Sequence, residues 1–136
     1  MIRSRKHYHD PHRNGFVTNE QADAWIQRVK GNYPDDICYQ EMPEGSGDFY
    51  QRYVVCAANR NGDTVVCAPR HGDAIMRAQI RALGFEHGIR GWEQGFIDQW
   101  GNWMDREEAL IVASRAKQFR RRCGGDDKEL FSENLY

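Results

Sequence analysis

The sequence predicts an α+β fold: a small mixed domain with a β-hairpin, a second short hairpin and two to three amphipathic helices. Three observations carry this. Two apolar runs flank Asn61-Gly62, a capped apolar stripe of helical period begins at Asp105, and 136 residues leave room for one domain with one modest core.

In chain order, residues 1–13 carry His7, His9 and His12 among basic residues and proline without periodicity, and are expected to be an arm. Thr18-Asn19-Glu20-Gln21 has the capping-box pattern, and Ala22, Trp25, Ile26 and Val29 follow at helical spacing before Gly31. Residues 31–48, rich in Gly, Pro, Asp and Glu, read as a surface connection. Residues 1–49 are thus an arm, a helix and a connection, and residues 50–136 the α+β core of a single domain.

Within the core, Tyr53-Val54-Val55-Cys56-Ala57-Ala58 and Thr64-Val65-Val66-Cys67-Ala68 are the strands of the hairpin. With Asn61 and Gly62 as the central turn residues, Cys56 faces Cys67 and Val55 faces Ala68. Both faces of the hairpin are then apolar, which predicts cover on both sides, by helices or by another subunit. Asp73 caps a helix with Met76, Ile80 and Leu83 on one side and Gly84 at its end. Gly95-Phe96-Ile97-Asp98 and Asn102-Trp103-Met104-Asp105 form the second hairpin around Gln99-Trp100-Gly101. The last helix starts from Asp105 as N-cap with Glu108 closing the box. It carries Ala109, Val112, Ala113, Ala116 and Phe119, and is expected to run into Arg120-Arg121-Arg122 before Gly124-Gly125.

Composition narrows the function. A formal net charge of -1 speaks against a binder of polymeric nucleic acid. The absence of a long apolar run and of a signal-peptide core predicts neither membrane span nor export, hence the cytoplasm. Of 19 basic residues, 15 are Arg, whose planar fork suits bidentate contact with phosphate or carboxylate. The four cysteines include no C-x-x-C pair, so neither a metal nor another cofactor is expected, and Cys56 and Cys67 read as buried thiols.

Three segments can carry a site. Arg70-His71-Gly72-Asp73 lies where a strand ends and a helix begins, a position that favours anions. It also resembles the R-H-G signature of histidine phosphatases, which would make His71 a nucleophile. Trp92, Phe96, Trp100 and Trp103 sit among Glu93, Gln94, Asp98, Gln99 and Asn102, a grouping able to stack a purine and read its edges, although packing in the core accounts for Phe96 equally well. Arg115 with Arg120, Arg121 and Arg122 makes a cationic helix end that can clamp phosphate, or simply cap the helix. No nucleophile elbow, P-loop or H-E-x-x-H is present, so the reading leans away from an enzyme; Glu107 and Glu108 are best explained as first-turn helix carboxylates.

From about Tyr53 onward, the order Arg70-His71-Gly72-Asp73, Glu93-Gln94-Gly95-Phe96, Arg106-Glu107-Glu108-Ala109 and Phe131-Ser132-Glu133-Asn134-Leu135-Tyr136 resembles small bacteriophage proteins similar to the Thoeris anti-defence sponges. That resemblance implies a homo-oligomer that sequesters a cyclic nucleotide or cyclic ADP-ribose-type signal without cleaving it. From the residues themselves, the expected ligand is small, anionic and nucleotide-like, and its binding residues are Arg70, His71, Trp92, Phe96, Arg106 and Arg122. A small phosphohydrolase using His71, or a protein-binding inhibitor of a host enzyme, is the alternative.

Overall fold

A computed structural model describes residues 7–9, 33–85, 87–121 and 128–136. The helix expected at residues 18–30, together with Arg122 and Cys123, lies outside the described residues. The elements are β1 (His7–His9), α1 (Asp35–Cys38), β2 (Tyr39–Glu41), β3 (Asp48–Gln51), β4 (Cys56–Asn61), β5 (Thr64–Ala68), α2 (Ala74–Ala82), β6 (Glu93–Ile97), β7 (Trp103–Met104), α3 (Arg106–Arg115) and a closing 3-10 turn at Ser132–Asn134. The fold is α+β, as the alternation of short strands and capped helices predicts.

The larger sheet has the order β5-β4-β6-β7, antiparallel throughout. Its hairpin differs in register from the expectation. Asn61 pairs with Thr64 and Ala58 with Cys67, so Gly62 and Asp63 are the central residues. Gly62 supplies the positive φ, +59°, at the first central position. Cys56 is therefore diagonal to Cys67 rather than opposite it, two residues along on the same face.

Residues paired across the sheet share a face, and this shows that both helices lie on one side. Ala57, Phe96 and Met104 pack against Ala109, Leu110, Val112 and Ala113 of α3, while Val66 and Ala68 pack against Met76 and Ile80 of α2. The opposite face has no helix among the described residues, and Val65 on it is 44% exposed. Cover on both sides, as expected from the hairpin's apolar faces, is therefore seen on one.

Both helices start as expected, with Asp73 accepting from Met76 N and Asp105 from Glu108 N, each at 2.8 Å. Their ends differ from expectation. Leu83 is 54% exposed, so the apolar stripe of α2 closes at Ile80. Helix α3 stops at Arg115, well before the arginine run, because Lys117 takes φ +60°. The bonds Lys117 N to Ser114 O and Gln118 N to Ala113 O close a Schellman motif there.

Residues 33–51 are not a featureless connection, and residues 7–9 are not a free arm. A three-stranded sheet of order β1-β3-β2, with β1 parallel to β3, packs with α1 on the far side of α3. Ile111 meets Cys38 and Tyr39 there. With protein on both sides, α3 is buried from Ala109 through Ser114.

Candidate functional site

The end of β5, the middle of β6, the first residue of α3 and the chain from Leu130 to Tyr136 converge, and they bring together three of the sequence-predicted residues. His71 is half-buried. Its Nε2 lies 2.7 Å from Gly95 O and its ring meets Phe96 edge-on at 5.0 Å. Burial lowers its pKa, and the neighbouring Arg106 charge adds to this, partly offset by the Gly95 bond and Glu133. The ring is therefore neutral at pH 7. Nε2 then donates to Gly95 O, and Nδ1 faces Arg106 Nη2 at 3.5 Å.

Arg106 spans the convergence. Its Nη1 donates to Leu130 O at 2.7 Å and its Nη2 to Gln94 Oε1 at 2.6 Å, with the guanidinium over the Phe131 ring at 4.9 Å. Arg70 donates to Tyr136 O and lies over that residue's ring at 5.1 Å. Arg121 donates to Glu133 O at 2.8 Å and to Tyr136 O at 3.3 Å. Among the described residues none of the three arginines pairs with an Asp or Glu side chain, and Arg106 bonds only a backbone carbonyl and an amide oxygen. The Arg106 charge is left available to an anion.

A pocket of about 460 Å³ is lined by Val55, Cys56, Cys67, Ala68, Pro69 and Tyr136, the last two being the chain neighbour of Arg70 and the residue its guanidinium lies over. The volume lies within the range of small-molecule sites. Its walls are apolar apart from the thiols and Tyr136, a residue that is 42% exposed. Arg70 Nη1 is buried and has no hydrogen-bond acceptor. A buried cationic N–H without an acceptor is costly, and an anionic oxygen would remove that cost.

The aromatic part of the expected site is placed otherwise. Phe96 is fully buried under α3, and Trp92 packs with Phe85, Ile80 and Met76, so both rings have their faces covered by protein. Trp100 is exposed, whereas Trp103 is half-buried with the Arg60 guanidinium 4.3 Å above it. Gly95 lets Trp103 lie this close, because a Cβ at Gly95 would collide with the ring and with Met104 O.

The polar residues of that segment are held by the fold. Asp98 accepts from Arg52, Trp100 N, Asn102 N and Asn102 Nδ2. Gln99 bonds Tyr53 N and Gln51 O. Glu108 pairs with Arg52, and Arg115 bonds the Tyr39 hydroxyl at 2.7 Å. Tyr136 was not among the expected site residues. Its only signal was its place in the Phe131–Tyr136 segment, since nothing local says that the segment folds back onto Arg70.

No helix among the described residues is long and apolar enough to cross a membrane. No curated protein matches the chain, and no solved structure does. A family model, that of the phage T4 y16D protein, matches residues 53–136, which takes in β4 to the last residue and every member of the convergence. This is more than half of the chain, and the protein is therefore a small phage protein belonging to the phage T4 y16D family.

Proposed function

We propose that this phage protein captures a small anionic nucleotide-like ligand without cleaving it. The observation that carries the reading is the acceptor-less, buried Nη1 of Arg70 beside an apolar pocket walled by the Tyr136 ring. Phosphate oxygens would sit against Arg70, with Arg106 and Arg121 contributing charge nearby, and a base would stack on Tyr136 in the role the sequence assigned to Trp92 and Phe96. The ligands we assign to it are cyclic nucleotides and cyclic ADP-ribose-type signals, met in the host cytoplasm. The reading is thus an anti-defence sponge, and the order of its C-terminal motifs supports that class. A homo-oligomer fits the sheet face that carries Val65 and, among the described residues, has no helix over it.

Capture rather than turnover is favoured by His71. Both its ring nitrogens have protein partners, Gly95 O and Arg106, so a nucleophilic role would first require one of them to be displaced.

Native mass spectrometry of the full chain, with and without a panel of cyclic nucleotides and cyclic ADP-ribose isomers, tests this. An intact ligand mass on an oligomer is expected, and Arg70→Ala should weaken it about tenfold to a hundredfold. A cleaved ligand would replace capture with phosphohydrolase activity. No gain from any member, together with a co-purifying host protein, would replace it with a protein-binding inhibitor.

A further inference from the structure

We propose that Cys56 and Cys67 form a two-thiol site for a soft, thiophilic monovalent cation, of which copper(I) is the type. The register places both side chains on one face of adjacent strands, diagonally related, and both line the pocket beside Tyr136. Both thiols are free.

Geometry selects among the things two thiols can do. Diagonal residues on neighbouring strands are about 7–8 Å apart at Cα, beyond the usual span of a disulfide, so direct S–S bonding would require the strands to shift. A bridging ion lengthens the path between the sulfurs and removes that requirement. Ligand number then selects the ion. Among the described residues no group of three or more His, Cys, Asp and Glu side chains could hold a metal. Zinc, which takes four ligands in structural sites, is left short of donors, whereas two thiolates suit copper(I). Binding balances as loss of two S–H protons to solvent and formation of two S–metal bonds, with no change of oxidation state.

The site shares its pocket with the nucleotide reading but requires neither a stacked base nor an anion on Arg70.

The test is an oxygen-free titration of the reduced, metal-free full chain with copper(I) against a coloured copper(I) chelator. One copper per chain is expected, weakened roughly a hundredfold or more in Cys56→Ser and in Cys67→Ser and unchanged in Cys38→Ser. Copper uptake that survives either of the first two substitutions, or an equal affinity for zinc, would overturn the proposal. A measurement on the unsubstituted chain guards against misfolded variants. Copper loading should protect Cys56 and Cys67 from N-ethylmaleimide in peptide mapping, and unchanged labelling of both would equally overturn it.

Discussion

Two residues that end helices show how much a single backbone angle decides. Gly84 after α2 and Lys117 after α3 occupy the same position of the same motif, at φ +83° and +60°. The glycine announces the stop, whereas the lysine adopts the left-handed region against its steric preference and gives no sign of it in the sequence. Lys117→Gly should therefore raise stability by roughly 1 kcal/mol, read as a higher urea midpoint with unchanged slope. His71 makes a second prediction at this scale. Its folded pKa lies below the usual 6.5 because it is buried, so as pH falls the unfolded chain binds the proton first. Its contribution to stability is full above 6.5 and is lost as the pH drops toward and through the folded value. Between about pH 7.5 and 5.5 the wild type should lose more stability than His71→Gln, measured by urea unfolding. Equal losses would mean that His71 is not held neutral in the folded protein.

At the level of elements, glutamine side chains stand in for missing strand neighbours. Gln118 bonds both Val54 N and Val54 O at 2.8 Å, and Gln79 bonds Cys67 N and O at the free edge of β5. Each amide offers a donor and an acceptor in the spacing that a paired strand would present. Gln118→Ala leaves two backbone groups of the buried Val54 without partners. It should cost about 1–3 kcal/mol in chemical denaturation. A loss near zero would show that water replaces the side chain. The first-turn carboxylate Glu108 and the turn residue Asp98 were legible as parts of a helix and a hairpin, but their common partner Arg52 lies far away in sequence and could not be inferred from spacing.

For the molecule as a whole, Arg52 is the tie. Its guanidinium donates to Asp98 at 2.8 Å, and to Glu108 and Ile37 O at 2.9 Å each. It thereby joins the β6–β7 turn, α3 and α1. Burial opposes its charge, and the bonds from Glu108 and Asp98 outweigh that opposition. Asp98 is almost fully buried, so Asp98→Ala leaves Arg52 Nε and the turn amides of Trp100 and Asn102 without their acceptor and should cost about 3–5 kcal/mol in urea unfolding. A much smaller loss would mean that Arg52 swings out to solvent.

The sequence by itself determined the α+β class, the starts of α2 and α3, the two hairpins and the grouping of Arg70 with His71. Capping residues, turn glycines and apolar period act within a few neighbours, and short-range sterics and hydrogen bonding suffice for them. Only the tertiary structure decided the rest. Hairpin register turned on whether Gly62 took the first or second central position, a one-residue difference that moved Cys56 from opposite Cys67 to diagonal. Phe96 and Trp92 went to the core because α3 and α2 cover that sheet face, and Tyr136 reached Arg70 because the last seven residues return along Arg106 and Arg121. Those outcomes depend on contacts between residues tens of positions apart, where burial rather than local spacing sets which side chains meet.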